Sequence, residues 1–444
     1  MIKMKQFVVC ISLLMLSASC VPDGKQKPST KAVQRDDEFT IFLTGYGLGE
    51  LKPCGCSGGQ LGGLDRRWAV LSSVPKQKKL TIDVGSFVES DSEQDLIKYS
   101  ILMQAFSLLD YDVVNLTRKD FDIARNLGLL FNPVVGFISP YGTGEKIAGK
   151  FQNQYLLKDR YITVSVLTCS LETSPIEQIK EVFSPLSNQQ GVSILIIDRC
   201  DEVVISSIAE LRIVDCIIFP SDSDEPRIIG DPNERPLTFS VGRFGRYVCK
   251  LVITAASDGR DRLDISFYAI PVVEKLKQGP SLVRLYKDYQ HLVKEADLLE
   301  KFPRFALPDN LQYEGSKSCK QCHEYEYKMW SRKPHAQAYK TLVKVGSQYD
   351  PECVVCHVVG MDYERGFISE EKTSHLKNVG CENCHGPGSE HNRTEGLTKT
   401  TEPKSDCIFC HTPEKSAGYA GNEQEYLEKI RHWKELKAAS NVQQ

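Results

Sequence analysis

Between Phe39 and Val272 the chain alternates short apolar runs with longer stretches of helical periodicity. Apolar runs of four to six residues occur at Phe39–Thr44, Leu80–Val84, Val113–Leu116, Ile162–Leu167, Ile194–Ile197 and Cys216–Phe219. Runs this short and this continuous predict strands buried on both faces. Asp95–Leu109 and Glu202–Leu211 repeat at helical spacing between them. Leu237, Tyr247–Thr254 and Leu263–Ile270 then read as antiparallel strands. Alternation followed by hairpins predicts an α/β mixed-sheet sandwich covered by helices.

Past Val272 the period changes. Leu285, Tyr289, Leu292, Ala296 and Leu299 recur at four-three-four-three spacing after the breaker Gly279-Pro280. This predicts an amphipathic helix with a seam of barely two heptads, open to packing on its own domains or to dimerisation. His291 lies off the stripe and is expected in solvent. Pro303, Pro308 and Asp309-Asn310 mark a boundary,. The expected division is 1–20, 21–37, 38–272, 273–311, 312–432 and a tail 433–444.

At the N-terminus, Lys3 and Lys5 precede an apolar run from Phe7 to Leu16 and small residues, an export signal too short for a spanning helix,. Ser17-Ala18-Ser19-Cys20 reads as a lipoprotein cleavage box, with Ser17 where an aliphatic residue is usual. Cys20 is then the lipidated residue, and an ordinary secretory signal cut nearby is the alternative. Val21–Asp37 is a polar tether. The expected location is the periplasmic side of a bacterial membrane. A net charge of −3 gives no basic footprint for nucleic acid,.

The chemistry is concentrated further on. Cys-x-x-Cys-His occurs four times, at Cys319/Cys322/His323, Cys353/Cys356/His357, Cys381/Cys384/His385 and Cys407/Cys410/His411, here motifs 1 to 4. Sixteen cysteines and nine histidines in 444 residues would give about 0.01 chance matches,. Two thiols at this spacing reach both vinyl groups on one porphyrin edge, and the adjacent histidine lies under the ring. Zinc ribbons also use Cys-x-x-Cys but do not explain a histidine after the second cysteine every time. The pattern predicts four covalently attached haem c groups, their proximal ligands being the four motif histidines.

The first cysteines of successive motifs are 34, 28 and 26 residues apart. So little chain per prosthetic group predicts a mainly helical domain whose core is the porphyrins themselves. His335, His375, His391 and His432 are the candidate distal ligands, equal in number to the haems. His391 follows His385 through Gly386-Pro387-Gly388; six residues reach roughly 20 Å, too little to wrap one macrocycle. It is therefore expected on a neighbouring haem.

Two resemblances bear on these regions. Gly315–His323, Trp330, Lys333-Pro334-His335-Ala336 and Gly380–His391 resemble the tetrahaem cytochrome c-554 family of nitrifying bacteria. That likeness implies stacked haem pairs, mainly bis-histidine ligation and electron transfer, and one haem of that family can lack a distal ligand. Residues 39–272 resemble the calcineurin-like metallophosphoesterases in their 5′-nucleotidase branch. Their motif order appears in Thr44–Glu50, Asp83-Val84-Gly85-Ser86, Asp112–Asp122 and Val241–Tyr247. The metal ligands are replaced, however. Tyr46 and Leu48 stand for Asp and His, Ser86 for the bridging Asp, Thr117-Arg118-Lys119 for Gly-Asn-His, and no histidine precedes His291.

These readings predict an exported, lipid-anchored tetrahaem electron relay with periplasmic or membrane redox partners, dependent on the cytochrome c maturation machinery. The front domain is expected to be a scaffold or docking module without phosphoesterase activity. The alternative is a multihaem enzyme acting on a small nitrogen or sulfur compound at an open iron. No motif ends in lysine. Cys54-Gly55-Cys56, with Cys169 and Cys200, could gather as a disulfide or soft-metal site; otherwise Cys169, Cys200, Cys216 and Cys249 are small buried apolar groups.

Overall fold

The computed structural model describes residues 37–434, except 55–57, 142–149, 158–159, 171–176, 178–179, 181–190, 200–201, 256–262, 402–406, 414 and 417. Cys20, Cys56 and Cys200 lie outside the described residues. The described residues form one compact unit.

The first sheet runs β12-β11-β1-β2-β3-β4, with β1 at Glu38–Thr44, β2 at Lys79–Asp83, β3 at Val113–Asn115, β4 at Gly136–Ile138, β11 at Tyr247–Ala255 and β12 at Leu263–Pro271. β1 to β4 are parallel, and β11 joins β1 antiparallel. The second sheet runs β5-β6-β7-β8-β10-β9, with β5 at Lys150–Leu157, β6 at Arg160–Cys169, β7 at Gly191–Ile197, β8 at Cys216–Ile218, β9 at Ile228–Ile229 and β10 at Leu237–Phe239.

Alternation along β1 sets the layers. Phe39, Ile41 and Leu43 point between the sheets, where they meet Val164, Ile194, Phe239 and Cys249. Phe42 points the other way, into a second core with α1 (Leu64–Leu71), α2 (Glu93–Leu108) and α3 (Arg118–Leu127),. α4 (Glu202–Glu210) covers the far face of the second sheet through Ile205 and Ile208. The result is an α/β mixed-sheet sandwich.

Among the elements that the periodicity does not show are β5 and α1. β5 is polar (KFQNQYLL) and mostly exposed because it is an edge strand with one neighbour,. α1 buries Asp65, Arg66 and Arg67, so its inward face does not read as apolar.

α5 (Pro280–Glu295) is the connector helix, but the expected seam is corrected. Its buried residues are Leu282, Leu285, Tyr289 and Val293, while Leu292 is 43% exposed. Asp297 takes a left-handed conformation (φ 54°) and ends the run before a second heptad can form. α5 packs on α1 and α2. His291 is exposed.

Beyond Asn310 the chain forms short helices of three to eight residues joined by turns. The porphyrin-only core needs a correction here too. Leu299, Leu307, Tyr339, Leu342, Val354, Val358, Met361, Phe367 and Leu376 form a compact apolar cluster around motif 2. No helix among the described residues is long and apolar enough to cross a membrane.

Candidate haem site

Each motif begins on a helical turn: Ser316–Cys319, Pro351–Val354, Cys381–His385 and Cys407–Phe409. A turn of helix holds the two cysteines on one side and lets the histidine follow. Motifs 1 and 3 are fastened by Glu382, a buried residue inside motif 3. It accepts from the backbone N–H of Glu314 (3.0 Å), Gly315 (2.7 Å) and Gly388 (2.8 Å). Asn383 donates to the Val358 carbonyl (2.8 Å), linking motif 3 to the chain after motif 2. Trp330 donates to the Val379 carbonyl (3.0 Å). The sequence shows Glu382 and Asn383 only as spacers; their role appears when the three backbone segments converge.

Three candidate distal histidines face motif histidines. Ring centres are 6.0 Å apart for His323 and His391, 6.4 Å for His411 and His335, and 6.4 Å for His385 and His432. A metal–imidazole bond of about 2 Å, and about 1 Å more to the ring centre, set two imidazoles on opposite sides of one metal about 6 Å apart. Each ring can rotate about its bond to the metal, so interplanar angles of 24°, 33° and 89° all fit. His391, after motif 3, thus stands opposite the histidine of motif 1.

His375, the fourth candidate, is placed differently. It is exposed and makes no ring contact among the described residues. A Cβ on Gly315 (φ +77°) would lie 2.6 Å from its carbonyl oxygen and 3.3 Å from its Cδ2. Its turn is therefore packed against the entry to motif 1.

Tautomers are set by the surroundings. Nδ1 of His357 bonds the Ala338 carbonyl (2.7 Å), that of His391 the Thr398 carbonyl (2.8 Å) and that of His432 the Ile430 carbonyl (3.1 Å). A carbonyl only accepts, so Nδ1 carries the proton and Nε2 keeps the lone pair a metal needs. Burial lowers the pKa of His357, His385 and His411. Burial, then His411, His357 and His432, bring His335 down to about 4. The neutral, ligating form prevails at pH 7.

Sulfur contacts order the motifs. A hydrogen bond from Cys319 to Cys381 brings the Cys381 thiol down to about 7 and pushes Cys319 up. The pair Cys356 and Cys410 behaves alike, with Cys356 raised and Cys410 lowered. Cys384 is raised by burial and then by Cys407. Motif 1 therefore adjoins 3, 3 adjoins 4, and 4 adjoins 2.

The positions of the replaced metal ligands in the front domain lie where β1, β2 and β3 end. Tyr46, Leu48, Ser86 and Phe244 keep positive φ there (48°, 49°, 62° and 60°), conformations costing of order 1–3 kcal/mol each for such side chains,. Cross-loop bonds hold them: Tyr46 N–H to the Gly85 carbonyl (2.7 Å) and Phe244 N–H to the Tyr46 carbonyl (2.8 Å). The carboxylates are engaged by the protein. Asp83 accepts from Thr44 Oγ1 (2.7 Å) and Gly85 N–H (3.0 Å). Asp120 accepts from Ser86 N–H (2.7 Å), Phe87 N–H (3.0 Å) and Thr117 Oγ1 (2.6 Å). The Tyr46 phenol is pushed up by burial and then by Asp198, Asp120 and Asp83. It stands among the acids that remain. Arg118 stacks 4.4 Å from the Tyr141 ring centre. No group of three or more His, Cys, Asp or Glu suited to a metal occurs among the described residues.

Cys169, Cys216 and Cys249 are fully buried in the apolar cores. Cys54 is elsewhere. It is exposed and close enough to Cys353 and Cys356 to influence the ionisation of both.

Fold and site together define an α/β sandwich joined to a helical region built for haem c. Residues 318–386 match the family of cytochrome c554 and c-prime. Cytochrome c-554 of Nitrosomonas europaea is 34% identical over 98 residues, covering 19% of this chain and 42% of that protein. The chain thus spans less than half the length of this curated relative. Solved structures similar to the chain include a 5′-nucleotidase precursor from Thermus thermophilus (12% identity, TM-score 0.44, 70% of this chain and 68% of that one). The calcineurin-like phosphoesterase YfkN from Bacillus subtilis is similar over 58% of this chain and 98% of its own (11% identity, TM-score 0.43).

Proposed function

We propose that this chain is an exported tetrahaem electron relay, anchored by a lipid on Cys20, whose haems are aligned in the order motif 1, 3, 4, 2. The observation that carries the reading is the facing of His323 with His391, His385 with His432, and His411 with His335 at 6.0–6.4 Å. Haem c supplies one-electron chemistry when attached; the chain fixes its ligands, their tautomers and their burial. Cys319, Cys322, Cys353, Cys356, Cys381, Cys384, Cys407 and Cys410 would hold the porphyrins, and the four motif histidines the irons. Each of the three pairs would supply two imidazoles to one iron, and His375 is left unassigned.

In this reading the front domain performs no phosphoester hydrolysis. Tyr46 stands among Asp83, Asp120 and Asp198, and backbone and hydroxyl donors engage Asp83 and Asp120. Water activation by two metals needs those carboxylates free. Haem stoichiometry on the matured protein tests the relay, with four haems per chain expected and fewer than four contradicting it. Phosphatase and nucleotidase assays with added divalent metals test the front domain, and metal-dependent turnover would overturn that part.

A further inference from the structure

The front domain touches the relay at one end. Gln94 and Lys98 lie one helical turn apart on α2 and both reach the segment that opens motif 2. Gln94 Nε2 donates to Asp350 Oδ1 (2.9 Å), and Tyr289 of α5 donates to Asp350 Oδ2 (3.0 Å). Asp350 is 5% exposed and also accepts from the Glu352 N–H (3.1 Å), capping the turn that carries Cys353,. Lys98 pairs with Glu352 and lies 3.8 Å from Asp95; its side chain is only 6% exposed. Gly49 (φ +81°) makes room for it, since a Cβ there would stand 3.3 Å from Nζ. The loop after β1 therefore passes close to the same lysine. Gln60, further along that loop, donates to the Lys415 carbonyl (2.5 Å), four residues past His411.

Asp350, Glu352 and Glu50 bring three carboxyls to this edge of motif 2, against Lys98 and Lys415. Net charge near a haem sets its potential, because negative charge favours the ferric state. A buried or half-buried pair is screened far less than a surface one. Resting on the relay reading, we propose that Gln94 and Lys98 are positioning and charge-compensating residues for the haem held by Cys353 and Cys356. The front domain is thus built into one centre of the relay, at the motif 2 end.

The test is a spectroelectrochemical titration of the full, matured chain carrying Lys98→Met, Glu352→Gln or both. Lys98→Met removes a compensating charge and shifts one of the four potentials negative. Glu352→Gln shifts the same potential positive, and the double variant returns it towards the parental value. Lys98→Arg stays near parental. A purely structural role would not restore the potential in the double variant. The proposal is overturned if no potential moves, if all four move together, or if the double variant retains the Lys98→Met shift. Glu352 is 48% exposed, so Glu352→Gln carries the test alone if Lys98→Met does not accumulate. Haem counting on each sample separates the two levels: fewer than four haems in the parent defeats the relay reading, and four haems with unmoved potentials defeat only this proposal.

Discussion

The two halves of this molecule solve the problem of a core in opposite ways. In the front domain, Phe39, Ile41, Leu43, Ile194 and Phe239 are wholly buried between sheets whose backbone groups bond one another. The haem region has helices of eight residues or fewer and leaves Leu397 and Phe409 at 90% and 68% exposure. Its ordered features are polar ones: Glu382 on three backbone donors, and imidazoles fixed by carbonyls. Polypeptide alone specifies the first half, whereas the second is arranged to hold something else. Among the described residues, an apolar cluster in this half lies around motif 2, where the front domain and α5 are alongside, and it draws in Leu299 and Leu307 of the connector.

The largest effect that would sharpen this contrast is on the apo protein. Chain produced without haem attachment should lose ordered structure after about residue 312 while 38–302 resists proteolysis, because metal-organised segments fold with their cofactor. Equal protection of both halves would break the comparison. Next, Phe106→Ala should destabilise the front domain by about 3–5 kcal/mol. Phe106 is 2% exposed and packs on Phe87 (5.0 Å) and Tyr111 (5.1 Å). Its thermal transition should fall with no change in the reduced α-band; a haem spectrum that moves with it would show that the halves are not distinct in this sense.

A smaller, pH-dependent effect comes from Glu50. Burial raises its pKa from 4.5 to about 7, with Glu352 and Cys54 adding to the rise and Lys415 and Lys98 opposing it. Folding therefore favours the protonated form. Its contribution is fully present below about pH 4.5 and is lost as pH rises through about 7, by up to about 3 kcal/mol. Glu50→Gln should remove that slope. Urea unfolding of variant and parent at pH 5 and pH 8 checks this, and parallel pH dependences would contradict it.

Much of the fold was legible because buried strands are simple. Ile194–Ile197 and Cys216–Phe219 are continuous apolar runs, and both lie in the parallel part of the second sheet with neighbours on each side. β5 was not legible, since an edge strand needs few apolar residues. The second heptad of the α5 seam does not form, and spacing cannot show that Asp297 turns left-handed and that Val293 takes the place of Leu292. At the site, Cys-x-x-Cys-His carries its chemistry locally. Chain length alone sent His391 to a neighbouring haem, and the structure sets its ring against His323. Nothing local distinguished His432, which faces His385, from His375, which is packed on Gly315. That difference depends on contacts far apart in sequence, as do those of Lys98 and Gln94.

Low-temperature electron paramagnetic resonance of the pure oxidised holoprotein tests the central claim most directly. The account predicts at least three low-spin bis-histidine signals. His391→Ala, His335→Ala and His432→Ala should each convert a different one to high spin, while His375→Ala converts none of these three. Fewer than three low-spin centres in the parent, or two distal variants that abolish the same signal, would contradict it.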